Sequence, residues 1–443
     1  MPASPARAAA FDILLRVERE SSYASDLLHT DQRLSPKDHA LATELVMGVL
    51  RWRSRLDDEI ATASSQPLTK LDLEILIALR LALYQFRFLD RIPPRAALHE
   101  SVELVKRARK RSAAPFANAV LRKLSKSVPL CAPVPPVVNA ADLVKTYSHP
   151  LWLIERWSAE YGPSVAEQIC QQNQSTPTTS IRLRKPTAED ELKVEGFQLL
   201  PGALVSNARA IASGDITKTK TFCNGDITIQ DEASQLVATL VGLNQPSHVL
   251  DCCAAPGGKT LAIADQHPDA EITAVEIHPH RARLLRQRLR STQRTQVLTA
   301  DARHLPLSTQ FDAILADVPC SGTGTLARNP EIKWRLTAAD LANLHDRQLA
   351  IVRSALAHLK PGGHLIYSTC SLEKEENEDV VQQALSDNHC IRIIDCPTEL
   401  DRLKQSGILT WPDPRSLTRG PYLRTIPGVH PCEGFFAAIL EKA

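Results

Sequence analysis

From about Cys223 onward, short apolar runs alternate with segments of helical period, and this alternation constrains the fold more than anything else in the chain. The spacing predicts strands at Ser247–Cys252, Glu271–Glu276, Gln296–Ala300, Phe311–Ala316 and His364–Ser368. It predicts helices at Lys259–Gln266, Pro279–Arg290 and Ala338–Leu359, the last stopped by a Pro361-Gly362-Gly363 turn. Strands that alternate with helices build a doubly wound, mostly parallel sheet. Such a sheet carries its chemistry in the crevice beyond the carboxyl ends of its strands.

The residues at those ends are therefore the candidates for function. Leu315-Ala316 is followed at once by Asp317, Pro319 and Cys320, then by the small-residue loop Ser321-Gly322-Thr323-Gly324. The last strand runs into Ser368-Thr369-Cys370-Ser371, so a second thiol is expected beside the first. The first strand runs into Asp251-Cys252-Cys253-Ala254-Ala255-Pro256-Gly257-Gly258-Lys259-Thr260. Two glycines there let backbone approach a ligand closely, and the helix start favours a negative group. A nucleoside-triphosphate loop needs a glycine where Cys253 stands, and the G-x-G-x-x-G dinucleotide pattern is absent as well.

The second strand ends at Glu276, whose carboxylate can accept both ribose hydroxyls of a nucleoside. The third ends in Ala300-Asp301-Ala302, with an acid near an adenine amino group. Three acids beside a glycine-rich loop describe a pocket for a nucleoside without a triphosphate. S-adenosyl-L-methionine fits, because its methionine end carries a positive charge as well as a carboxylate. Taken singly, an acid more often caps a helix and a cysteine more often packs as a small hydrophobe. Their convergence on one crevice reverses that balance. Two thiols, an acid and a methyl donor suit methylation at carbon 5 of a pyrimidine. That carbon is a poor nucleophile until a thiolate adds at carbon 6.

The rest of the 443-residue chain is too long for the same core, so further domains are expected. Residues 1–128 read as all-helical: Ser35-Pro36-Lys37-Asp38 is a capped helix start, Leu71–Leu89 is a long apolar helix at the centre of a bundle, and Ala96–Arg111 is a further helix. Lys106, Arg107, Arg109, Lys110, Arg111, Arg122, Lys123 and Lys126 stand with no acid between Lys106 and Lys126. The formal net charge is only +2, so any grip on nucleic acid must come from such local patches. A solvated helix face and a phosphate-binding face explain this run about equally well. Residues 129–140 read as a proline-rich linker, and residues 141–222 as a small α+β module with Ala203-Leu204-Val205 as one of its short strands. No run of about 18 apolar residues predicts a membrane span. The ten cysteines lack metal-ligand spacing, so no metal is expected, and a reduced cytoplasmic compartment is the simplest setting.

Together these motifs resemble the RsmB (Sun/Fmu) branch of the RNA (cytosine-5) methyltransferases, and the resemblance covers essentially the whole chain. Its pieces stand here as Gln230–Gln235, Cys253–Lys259, Asp317–Gly324, Ser368–Ser371, Arg328-Asn329-Pro330-Glu331-Ile332-Lys333-Trp334 and Gly434-Phe435-Phe436. Leu50-Arg51-Trp52-Arg53 and Asn118–Arg122 are similar to a NusB-type helical domain. Departures are Cys252 at an expected apolar position, Val318 for the commoner Ala, and Glu433 where Asp is usual.

The resemblance implies three folded parts: an all-α NusB-like RNA-binding domain (1–128), a small ferredoxin/RRM-like α+β module (141–222), and a Rossmann-like class I methyltransferase domain (223–443). It implies S-adenosyl-L-methionine as cofactor, held by Cys253, Ala254, Ala255, Pro256, Gly257, Gly258, Lys259, Glu276, Asp301 and Asp317. It implies that Cys370 attacks carbon 6 of the base, that Cys320 assists release, and that Asp317 serves base and cofactor. The expected substrate is a cytosine in 16S rRNA, naked or in an assembling small subunit, with the enzyme a monomer. The alternatives are the same reaction on tRNA or another RNA, and a non-catalytic RNA-binding or ribosome assembly factor.

Overall fold

A computed structural model describes residues 3–20, 22–30, 34–126, 139–243 and 245–443. These divide into two units, Met1–Thr176 with Leu326–Leu336, and Pro177–Thr325 with Thr337–Ala443.

The first unit is helical: α1 (Pro5–Glu20), α2 (Ala24–Thr30), α3 (Pro36–Arg51), α4 (Arg53–Ala63), α5 (Leu73–Phe88), α6 (Pro94–Arg107), α7 (Ala114–Leu124), α8 (Ala140–Tyr147), α9 (Leu151–Tyr161) and α10 (Pro163–Gln174). Ser35 caps α3 by accepting the Asp38 amide at 3.2 Å, as its sequence predicts. Helix α5 is apolar almost all round and is buried from Ile77 to Gln85, so it forms the centre of the bundle. Each of its buried leucines contributes roughly 1.5–3 kcal/mol. Helix α6 stops at Arg107 rather than Arg111, and Arg109 just beyond it has φ +62°. Positions 129–138 of the proline-rich stretch lie outside the described residues. Its last two, Asn139 and Ala140, already belong to the start of α8, where Asn139 and Asp142 form a capping box.

The first part of the basic run meets acids that stand outside it. Arg107 pairs with Asp12 at 2.7 Å, Lys110 with Asp72 at 2.9 Å, and Lys106 with Glu103 at 2.7 Å. Arg109, Arg111 and Arg122 are exposed.

Residues Leu326–Leu336, which include α11 (Ile332–Arg335), also belong to this helical unit. Their polar groups satisfy backbone of the bundle. Lys333 Nζ donates to the Arg51 carbonyl at 2.9 Å, and Trp334 Nε1 donates to the Leu50 carbonyl at 2.6 Å. The Ala24 amide donates to Glu331 at 2.8 Å. Lys333 is 1% exposed, and burial pushes its ammonium well below the usual lysine range.

The second unit begins with a four-stranded antiparallel sheet of β1 (Thr179–Leu183), β2 (Leu199–Pro201), β3 (Ala208–Ile211) and β4 (Ile227–Ile229), in the order β2-β3-β1-β4. The expected strand at Ala203-Leu204-Val205 does not form there. Those three amides instead donate to the Glu232 carboxylate at 3.0, 2.6 and 3.2 Å, which turns the chain around an acid. The strand falls five residues later.

A nine-stranded sheet follows. Its parallel part comprises β5 (His248–Asp251), β6 (Glu271–Glu276), β7 (Thr295–Thr299), β8 (Phe311–Asp317) and β9 (Leu359–Thr369). The order β9-β8-β5-β6-β7 puts the reversal of strand order between β5 and β8, where ligands bind in such sheets. Antiparallel strands β10 (Ile391–Ile394), β11 (Thr418–Arg419), β12 (Tyr422–Arg424) and β13 (Phe436–Lys442) complete it, with β13 paired to β9. The helices flanking it include α12 (Glu232–Leu240), α13 (Gly258–Gln266), α14 (Pro279–Arg288), α15 (Ala338–Ala357), α16 (Glu378–Asp387) and α17 (Cys396–Gln405).

The expected Pro361-Gly362-Gly363 turn lies inside β9 rather than before it. Phe311 pairs with Leu359 and Ala313 with His364, so residues 360–363 bulge out of register, with Gly362 at φ +74°.

Candidate active site

Strands β8 and β9 pair in register through Asp317 and Ser368. Their loops therefore leave the sheet side by side, and Cys320 Sγ lies 3.3 Å from Cys370 Sγ. Both thiols are partly buried. The Cys320 thiol is held well above the usual cysteine range, first by its hydrogen bond with Cys370, then by burial and the charge of Glu376.

Asp317 ends β8 with both oxygens engaged. Oδ2 accepts from Lys259 Nζ at 2.7 Å, and Oδ1 accepts from Ser368 Oγ at 2.8 Å. Burial alone would lower the Lys259 ammonium, but the Asp317 carboxylate outweighs it and holds the charge above the usual value. Lys259 also lies 5.0 Å from the Phe435 ring centroid. The expected cofactor lysine thus spends its ammonium on the expected catalytic acid.

The β5–α13 loop turns at Gly257, whose φ of +100° suits only glycine; a Cβ there would also sit 2.7 Å from Leu285 Cδ1. This loop lines a cavity of about 260 Å³ shared with Gln230, Asp251, Asp317, Cys370 and Phe435. Asp251 is 1% exposed; its Oδ2 accepts from Thr260 Oγ1 at 2.7 Å, while Oδ1 is buried without a partner. Burial pushes the Asp251 carboxyl up to about 6. Gln230 Oε1 is likewise buried without a partner. The cavity wall thus offers unmet acceptors.

A second cavity of about 250 Å³ is lined by Glu276, Asp301, Ile277, Arg303 and Pro319, and Cys253 lines both. Glu276 accepts the His278 amide at 2.7 Å, and Asp301 caps the following turn and pairs with Arg303 at 2.6 Å. Burial raises the Cys253 thiol well above its ordinary value, which suits a wall rather than a nucleophile. Cys252 is buried in the sheet core.

The structure places Cys370 and Asp317 on the first cavity, with Cys320 against Cys370, and places Glu276 and Asp301 on the second. Sequence reasoning missed a residue below them. Glu376 is 0% exposed and takes donors from both cysteine loops. In the sequence it stands in Glu373-Lys374-Glu375-Glu376-Asn377-Glu378-Asp379, which reads as solvated surface, and nothing marks out Glu376, or the equally buried Glu373, from its exposed neighbours.

The crevice can bind a nucleoside with a cationic tail and present two thiols and an acid to a second ligand. Family profiles agree with this anatomy. One described as 16S rRNA methyltransferase RsmB/F matches residues 238–441, the NusB family matches 4–126, and an RsmF/B-like ferredoxin-like domain matches 149–198. A Bacillus subtilis (strain 168) chain, "Probable ribosomal RNA small subunit methyltransferase B", is 32% identical over 457 residues, covering 100% of both chains. The crystal structure of PH0851 matches with a TM-score of 0.81 at 22% identity, over 99% of each chain. That of NSun6 from Pyrococcus horikoshii with SFG matches with a TM-score of 0.58 at 20% identity, over 67% of this chain and 99% of that one. At these identities the two structures speak for the fold, whereas the full-length identity to the Bacillus chain places the sequence: it belongs to the RsmB/F family of 16S rRNA methyltransferases.

Proposed function

We propose that this RNA methyltransferase methylates carbon 5 of a cytosine in small-subunit (16S) rRNA, using S-adenosyl-L-methionine. The observation that carries the reading is the 3.3 Å pair of Cys320 and Cys370, of which Cys370 lines a cavity also walled by Asp317, Lys259 and Asp251.

The residues fit the cofactor. Buried acceptors on Asp251 and Gln230 without partners suit the donors and positive charge of its methionine end. Glu276 and Asp301, on the adjoining cavity, suit the ribose hydroxyls and adenine amino group. When bound, S-adenosyl-L-methionine supplies an electrophilic methyl group.

The chain's own residues do the rest. Cys370 adds as a thiolate: its lone pair forms the S–C6 bond, and the C5–C6 π electrons shift toward carbon 5 and N3. Asp317, fixed between Lys259 and Ser368, steadies N3 as charge develops there. After methylation Cys320 takes the carbon-5 proton. The C–H electron pair rebuilds the C5–C6 double bond, the S–C6 bond breaks, and Cys370 leaves as a thiolate. At rest, Cys370 is the first cause of the raised Cys320 thiol. Once Cys370 is bound to carbon, that cause is gone; Cys320 gives up its own proton to solvent and then, as a thiolate, takes the carbon-5 proton.

RNA is held in part through phosphate contacts to the exposed Arg109, Arg111 and Arg122 of the helical unit. The enzyme acts as a cytoplasmic monomer, on naked rRNA or on an assembling small subunit.

Bisulfite sequencing of total RNA from a strain lacking the gene tests this. Loss of one 16S 5-methylcytosine, restored by the wild-type chain and not by Cys370→Ala, is expected. Loss of a tRNA mark instead would move the substrate to tRNA. An unchanged pattern would contradict the reading and leave a non-catalytic RNA-binding role.

A further inference from the structure

Glu376 carries a carboxylate in the protein interior whose four donors are all neutral. Ser321 donates twice, from its amide at 2.8 Å and from its hydroxyl. Ser371 Oγ donates at 2.5 Å and Gln348 Nε2 at 2.9 Å. Ser321 follows Cys320 and Ser371 follows Cys370, so one carboxylate brackets both thiol-bearing loops. A buried acid without a cation among its donors is costly to keep, and its removal leaves several buried donors unmet.

The two loops depend on it unequally. Gln348 Nε2 also donates to the Pro319 carbonyl at 3.1 Å, so Pro319 and Ser321, on either side of Cys320, are both tied to Glu376. The Cys370 loop has independent anchors. The Ser371 carbonyl accepts from Asn377 at 3.0 Å and Arg424 at 3.1 Å, whereas the bond from the Gly324 amide to the Cys370 carbonyl at 2.9 Å joins the two loops to each other.

We infer that Glu376 is a positioning residue that holds Cys320 against Cys370, so that its loss spares the attack and slows the release. The inference rests on the thiol roles proposed above. Its negative charge also contributes to keeping Cys320 protonated at rest.

Two measurements on the full-length enzyme test it. The first needs no RNA: alkylation of Cys320 and Cys370 by iodoacetamide across pH, read by mass spectrometry. In Glu376→Gln the Cys320 midpoint should fall by about one pH unit, as removal of a nearby buried charge does. An unmoved midpoint in a folded variant would overturn the inference. The second uses a 16S rRNA transcript with S-adenosyl-L-methionine and follows the covalent adduct on denaturing gels. Glu376→Gln should form it near the wild-type rate and resolve it at least tenfold more slowly. Equal losses in both steps would reduce Glu376 to a purely structural role. Should Glu376→Gln not fold, Ser321→Ala decides: a longer-lived adduct with unchanged KM for RNA supports the inference, and a wild-type lifetime overturns it. If the midpoint falls while no variant forms an adduct, the positioning role stands and the covalent reading falls.

Discussion

Gly324 and Gly434 face each other so closely that a Cβ on Gly324 would lie 2.2 Å from the Gly434 carbonyl oxygen and 2.8 Å from its Cα. The Gly434 amide donates to the Gly324 carbonyl at 2.9 Å, and the Gly324 amide donates to the Cys370 carbonyl. Three distant stretches, the Cys320 loop, the Cys370 loop and the Gly-Phe-Phe segment, thus meet through two residues without side chains.

Gly324→Ala forces backbone apart, since the blocking atoms are not the flexible end of a side chain. It should destabilise the protein by about 1–3 kcal/mol in urea titrations, as overpacking does. It should lower kcat more than it raises KM for RNA, because the displaced amide holds Cys370. Wild-type stability in this variant would show that the loops do not pack this way.

Asp251 predicts a pH dependence with a definite sign. Its carboxyl stands at about 6 in the folded chain, above the ordinary 3.8, because burial disfavours its charge. The folded state therefore holds the proton more tightly. The stability this brings is full below the ordinary value and is lost as pH rises through about 6. At pH 7 the ionised group costs about 3 kcal/mol. Asp251→Asn should raise stability at pH 7 relative to pH 4 by up to that amount in urea titrations. It should also flatten the weakening of S-adenosyl-L-methionine binding expected below about pH 6 in wild type. A binding profile that is level across pH 5–7.5 in wild type would remove Asp251 from the cofactor site.

Lys333 gives a second electrostatic test within the helical unit. Burial lowers its ammonium well below the ordinary 10.5. Its contribution to stability is therefore present above that value and is lost as pH falls. At neutral pH the residue destabilises the fold. The Arg51 carbonyl it serves also accepts from Gln174 at 3.0 Å, so removing Lys333 orphans nothing there. Lys333→Met should then raise stability at pH 7 by about 1–4 kcal/mol, with the gain shrinking toward pH 10. A loss of stability would show that the ammonium has a stronger partner.

Most of the candidate crevice was legible because strand ends are where a parallel sheet delivers chemistry. Asp251, Glu276 and Asp317 end β5, β6 and β8, and Cys370 follows β9, so the period of the strands placed them before any contact was known. What stayed hidden depended on tertiary partners. The basic run looked uncompensated because Asp12 and Asp72 lie far away in sequence. The Ala203–Val205 strand was lost to a carboxylate 27 to 29 residues on. Glu376 was invisible because burial of Glu373 and Glu376 within an acidic run leaves no periodic trace.

The most direct test of the two-thiol reading separates Cys320 from Cys370 on one denaturing gel. Full-length variants are incubated with a 16S rRNA transcript and S-adenosyl-L-methionine, and slowly migrating protein–RNA adduct is scored. Cys370→Ala should give none, because the bond to carbon 6 forms through that sulfur. Cys320→Ala should accumulate it, because the adduct forms and its release fails. An adduct with Cys370→Ala and none with Cys320→Ala would contradict the assignment.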